Sequence, residues 1–156
     1  MAKRSTPEAA RTARIGKRKG GSRLDGIFRP RSVAVIGASR KKQTIGHEIL
    51  SNLMDSEFNG AVYPVNPTAS SVHSIKSYAR LADIPGPVDL AVVVVPKGLV
   101  LRVVRECGKK GVKGLIVITA GFKEVGAEGA AAEEQLAELV DRYGMRMVGP
   151  NCMGVI

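Results

Sequence analysis

The stretch VAVIGASRKKQTIG, Val33 to Gly46, passes from an apolar β-branched run through a turn of small residues into a cationic loop that closes on glycine. A run buried on both faces, followed at once by a tight turn and a helical pattern, is how a central strand of a parallel sheet reads. Four further runs of the same kind follow: AVYPV (Ala61 to Val65), DLAVVVV (Asp89 to Val95), GLIVIT (Gly114 to Thr119) and MRMVG (Met145 to Gly149). With SVAVIG (Ser32 to Gly37) they give five expected strands.

Helical patterns separate them. Ile45, Ile49, Leu50 and Leu53 recur at helical spacing, as do Leu99, Val100, Val103, Val104 and Cys107, and then Ala132, Leu136, Leu139, Val140 and Tyr143. Each gives one apolar stripe for packing on a sheet. Strand alternating with helix implies parallel pairing through right-handed crossovers, hence a Rossmann-like, doubly wound α/β sheet. The link from Val65 to Asp89 breaks the rhythm. It is long and polar, with at most one helical turn expected near Tyr78 to Ala82, and Pro85-Gly86-Pro87 punctuates its end.

The 156 residues suit one domain, and a 44% apolar share with 4% aromatics suits a core of Val, Ile, Leu and Ala. The formal charge is +10, but residues 1–23 hold Lys3, Arg4, Arg11, Arg14, Lys17, Arg18, Lys19 and Arg23 against Glu8 alone. The chain therefore divides into a basic, solvated, disordered tail (1–23) and a domain (24–156) of modest charge. No aromatic residue interleaves the tail's charges, so no specific nucleic-acid surface is expected. No run approaches the roughly 20 apolar residues of a membrane span, and no secretory signal is visible, which points to the cytoplasm and away from a membrane. Cys107 and Cys152 lack the pairing of a disulfide framework or a metal site and read as reduced thiols.

In a doubly wound sheet, ligands bind beyond the carboxyl ends of the strands, where the first turn faces the start of the first helix. Free amides there attract phosphate. Gly37 permits the turn, Ala38 and Ser39 keep it uncluttered, Gly46 lets the helix start lie close to ligand or sheet, and Arg40, Lys41 and Lys42 add positive field. Two common nucleotide motifs fail. A Walker loop counted from Gly37 requires glycine where Lys42 stands, and the dinucleotide fingerprint requires glycine where Ser39 stands. After the second strand, Asn66-Pro67 replaces the carboxylate expected of an NAD site, and a neutral side chain tolerates a phosphorylated ribose.

SVAVIGAS with its later Ile45-Gly46, VYPVNP, DIPGPVDLAVVVVP, GVKGLIVITAGF and RYGMRMVGPNCMGVI occur in one order. Together they resemble the CoA-binding domain of NDP-forming acyl-CoA synthetases such as ADP-forming acetyl-CoA synthetase. That domain is similar to the N-terminal part of the succinyl-CoA synthetase α subunit and also occurs in bacterial protein lysine acetyltransferases. The resemblance covers about Leu24 to Ile156. It implies CoA or acyl-CoA as ligand, with no metal and no catalytic residue in this chain. Gly37, Ala38, Ser39, Thr44, Ile45 and Gly46 would cradle the phosphates, and Asn66 and Pro67 would meet the adenosine. Val95 and Pro96 would line a channel, Thr119, Ala120 and Gly121 would follow the pantetheine, and Asn151 in GPNCMG would approach the thiol end. Many relatives carry lysine where this chain has Thr68, which leaves Lys76 or the loop lysines to face a 3′-phosphate.

The resemblance further implies that chemistry is done by phosphohistidine and ATP-grasp domains absent from this chain. His47 and His73 do not match the phosphohistidine motif and are expected in surface or capping roles. Cys107 lies on an apolar stripe, Cys152 has no evident base, and Asp89 and Asp141 have no paired-carboxylate spacing. Two other functions use the same turn: an NAD(P)-binding redox sensor and a stand-alone CoA-sensing regulator.

Overall fold

The computed structural model describes residues 22–154. Most of the basic tail, residues 1–21, lies outside them, and so do the last two residues. Five parallel strands, β1 (Ser32–Ile36), β2 (Ala61–Val65), β5 (Leu90–Val93), β6 (Gly114–Val117) and β7 (Arg146–Val148), form one sheet in the order β2-β1-β5-β6-β7. Every expected strand is present. The order turns back on itself between β1 and β5, which makes the carboxyl ends of those strands the switch point where such sheets take ligands.

Burial follows position in the sheet. All residues of central β1 and β5 are buried, whereas edge strands β2 and β7 are partly open. Alternation along β1 sends Ala34 and Ile36 into one core with α3 (Lys97–Lys110) and α4 (Ala127–Arg142). It sends Val33 and Val35 into a second core with Leu50 of α2 (Ile45–Asp55). Helix α2 on one face and α3 and α4 on the other is the doubly wound arrangement that the alternating pattern implies.

Helix ends carry their own signals. Gly111 closes α3 in the left-handed region at φ 81°, with Lys109 and Lys110 in the last turn where cations complement the helix dipole. A short helix, α1 (Asp25–Phe28), seats Ile27 in the second core, and no periodicity in four residues announces it.

The long link after β2 is more ordered than its polarity suggests. It holds an antiparallel hairpin, β3 (Ser71–Val72) with β4 (Ile75–Lys76), and a 3-10 turn at Leu81–Asp83. Tyr78 donates its amide to Pro64 O at 3.0 Å and accepts from Asn66 at 2.9 Å. The link thereby covers the outer edge of β2, where Pro64 supplies a carbonyl but no amide.

Candidate functional site

The first crossover is built by two glycines used for different reasons. Gly37 sits at φ 97°, and a Cβ there would also lie 2.6 Å from Val94 O. At Gly46 a Cβ would collide with the carbonyl oxygen of Gly37. Thus α2 starts directly against the turn, and Gly46 serves close helix–strand packing. Between them the loop is stitched by its own side chains. Ser39 Oγ accepts from Lys41 N at 3.0 Å, Thr44 Oγ1 donates to Lys41 O at 2.7 Å, and Gln43 N donates to Glu48 Oε1 at 3.1 Å. The amides of Ala38, Ser39, Ile45 and Gly46 have no protein acceptor among the described residues. Helix starts with such amides are ready anion sites.

Asn66, at the end of β2, spends its whole side chain on organising this region. Its Nδ2 donates to Ala38 O at 2.7 Å, while Oδ1 accepts from Thr68 N at 2.8 Å, Thr68 Oγ1 at 3.0 Å and Ala69 N at 2.9 Å. An aspartate could copy the acceptor half but not the donor half. Asn66 is therefore a positioning residue that ties the second turn to the first. Beside it, Pro67, Val65, Ile36, Gly37 and Val95 line a cavity of about 350 Å³ that runs under Arg80, Leu99 and Arg102.

Past β5 and β6 the surface becomes apolar. Ile45, Val94, Val95, Pro96, Ile118 and Thr119 line a shallow cavity of about 300 Å³. Thr119 donates its hydroxyl to Val95 O at 2.7 Å, which joins the ends of the two strands and satisfies the polar group. Ala120 is exposed, and Gly121 turns at φ 103°. The Gly121 amide donates to the Glu124 carboxylate, as does Phe122 N at 3.1 Å, and these bonds hold the Glu124 carboxyl below its ordinary range. Asn151, at φ 53°, donates its amide to Thr119 O at 3.1 Å. Every residue expected from the sequence to meet the ligand thus lies along the carboxyl edge of the sheet, in the order turn, β2 end, β5 end, β6 end and β7 loop.

Two features were not legible beforehand. Ile45 and Leu99 head apolar stripes, yet Ile45 is 58% exposed and Leu99 is also exposed, because the first turn of each helix overhangs the cleft. Arg80 and Arg102 reach the cleft from the link and from α3. Arg80 pairs with Asp83 at 2.8 Å, which holds the Asp83 carboxyl below its usual range. The thiols differ sharply. Burial pushes Cys107 up to about 12, whereas Cys152 is half-buried with Sγ 3.4 Å from Val117 O. Among the described residues no group of His, Cys, Asp and Glu is arranged to hold a metal ion, and no helix is long and apolar enough to cross a membrane.

A family model described as "CoA binding domain" matches residues 31–156. The chain belongs to the CoA-binding domain family. It is 49% identical over 133 residues to the α subunit of acetate–CoA ligase [ADP-forming] II from Pyrococcus furiosus, covering 85% of this chain and 29% of that protein. It is 50% identical over 130 residues to 4-hydroxybutyrate–CoA ligase [ADP-forming] from Nitrosopumilus maritimus, covering 83% of this chain and 18% of that one. The apo form of dinucleotide-forming acetyl-coenzyme A synthetase 1 from Ca. Korarchaeum cryptofilum superposes with a TM-score of 0.81 at 47% identity, over 84% of this chain and 28% of that one. The chain spans less than a third of these relatives, and it matches the CoA-binding module of ADP-forming acyl-CoA synthetases. The two ligases are named for different acids.

Proposed function

We propose that this domain binds CoA or acyl-CoA along the carboxyl edge of its sheet and positions the thiol for acyl transfer carried out in separate domains. One observation carries the reading: the start of α2 presents unpartnered amides at the first turn, and from there one cavity opens toward Pro67 and Leu99 and another toward Val95 and Thr119. The pyrophosphate takes the amides, the adenosine takes the side of the β2 end, and the pantetheine follows the apolar side toward Asn151. Half-open apolar clefts with few polar groups suit an extended ligand of that composition.

The described residues at this edge supply donors, shape and apolar surface, and among them no nucleophile has an adjacent base. The domain's contribution is orientation, which converts an encounter between thiol and activated acyl group into a step within one assembly. Interconversion of acyl-CoA, NDP and phosphate with free acid, NTP and CoA is completed by phosphohistidine and ATP-grasp domains, in a cytoplasmic setting.

Calorimetric titration with CoA, NADH and NADPH tests this reading. CoA is expected to bind with one-to-one stoichiometry and the nicotinamide nucleotides far more weakly. Tight NADH binding without CoA binding would overturn it.

A further inference from the structure

On the outer side of the same crossover lies a separate cavity of about 300 Å³, lined by Arg40, His47, Ser71, His73 and Ser74. Its far wall is the two-residue turn of the β3–β4 hairpin, in which His73 and Ser74 both adopt positive φ, 50° and 62°. Turns of this geometry are normally made by Asn-Gly or Gly-containing pairs. A histidine held there against its backbone preference is the kind of local outlier that accompanies a functional constraint.

Its side chain points the same way. The His73 ring lies 4.2 Å from that of His47, centroid to centroid, and its Nε2 is buried with no hydrogen-bond partner among the described residues. His47 is fixed by Nδ1, which donates to Ser39 O at 3.2 Å. Arg40 closes the third side. Its Nε donates to Ser71 O at 2.8 Å and its Nη2 to Ser70 Oγ at 3.3 Å, leaving Nη1 unused. Among the described residues no carboxylate lines the cavity. Glu48, next along α2, is turned to the Gln43 amide instead. A fork of guanidinium N–H groups beside the unpartnered Nε2 of His73 is chemistry for a phosphate oxygen cluster.

Position identifies which phosphate. The cavity adjoins Ser39 and Arg40, directly after the turn assigned to the pyrophosphate, and the Ser70-Ser71 segment follows the Asn66 turn assigned to the adenosine. The alternative partners are otherwise engaged. Lys76 lies over the Tyr78 ring at 5.3 Å, and the Thr68 hydroxyl is donated to Asn66. We propose that Arg40, His47 and His73 form a subsite for a phosphate monoester on the ribose, the 3′-phosphate of CoA. The proposal rests on the CoA reading above.

The test compares CoA with dephospho-CoA, which lacks only that phosphate, by calorimetry on the whole chain. Wild type is expected to prefer CoA by about ten-fold or more. Arg40→Gln should bring the preference close to unity. His73→Asn, which suits the left-handed turn better than histidine and so protects the fold, should cut it at least about three-fold while leaving dephospho-CoA affinity within about two-fold. Ser74→Gly, which relaxes the turn without touching the donors, should leave the preference unchanged. A preference that survives both Arg40→Gln and His73→Asn overturns the subsite while the CoA reading stands. Failure of wild type to bind CoA overturns both. Inorganic phosphate binding that Arg40→Gln abolishes, with CoA and dephospho-CoA bound equally by wild type, assigns the pocket to free phosphate and also overturns the proposal.

Discussion

The two ends of the sheet invite opposite conclusions about where an anion belongs. At the amino edge, Ser22, Arg23, Asp25, Gly26, Arg29, Arg31, Asp89, Lys113 and Gly144 surround a basin of about 540 Å³, larger and richer in cations than either cavity along the cleft at the carboxyl edge. Yet a carboxylate, Asp89, is built into it. Asp89 Oδ2 accepts from Arg31 N at 3.0 Å and Oδ1 lies 3.7 Å from Lys113 Nζ, while Asp89 N donates to Ser32 Oγ at 2.9 Å. Helices α3 and α4 end at this edge, so the cations there complement carbonyl termini. At the carboxyl edge the same helices begin, and the amides of the first crossover are open. The polarity of the backbone, more than cavity size or counted charge, marks the ligand side.

The comparison breaks most visibly at glycine. Gly46→Ala would force a methyl group into the Gly37 carbonyl, with an expected loss of about 3 kcal/mol and a clearly lower urea midpoint. Gly144→Ala meets open space at φ 65° and should cost only about 1 kcal/mol, the ordinary penalty of a left-handed alanine. Equal losses would mean that the crossover is not packed as described. Asn66→Asp comes next. It removes the donor to Ala38 O and sets a carboxylate beside the phosphate-facing turn, so CoA affinity should fall roughly ten- to a hundred-fold with the fold retained. Unchanged affinity would detach Asn66 from the site. The smallest effect belongs to the amino edge. Lys113→Glu should leave CoA affinity within about two-fold and cost less than about 1 kcal/mol, because the pair with Asp89 is largely exposed on the lysine side.

How much of this could be read from the chain alone varies with the physics of each part. Buried parallel strands announce themselves because both faces demand apolar residues, and β1 and β5 satisfy that at every position but Ser32, whose hydroxyl donates to Pro87 O. The small residues of the first turn and the Asn66-Pro67 pair were legible because few residue types fit such backbones. The β3–β4 hairpin was not, since its turn uses His73-Ser74 in place of a glycine pair and its strands are two residues long. The histidines consequently read as unrelated, although the hairpin brings their rings together. Ile45 and Leu99 followed the helical period correctly, but the period cannot tell that a helix's first turn projects beyond the sheet. Asn66 was read as a ligand contact, and only the folded structure shows its amide committed to Ala38, Thr68 and Ala69.

The central claim is that open amides at the first crossover receive the pyrophosphate. An amide-resolved NMR titration with CoA addresses it directly. The account predicts that the largest shifts at saturation fall on Gly37 to Ser39 and Thr44 to Gly46, with Arg29, Arg31 and Lys113 unmoved. Shifts centred on the amino-edge basin, with the first crossover silent, would contradict it.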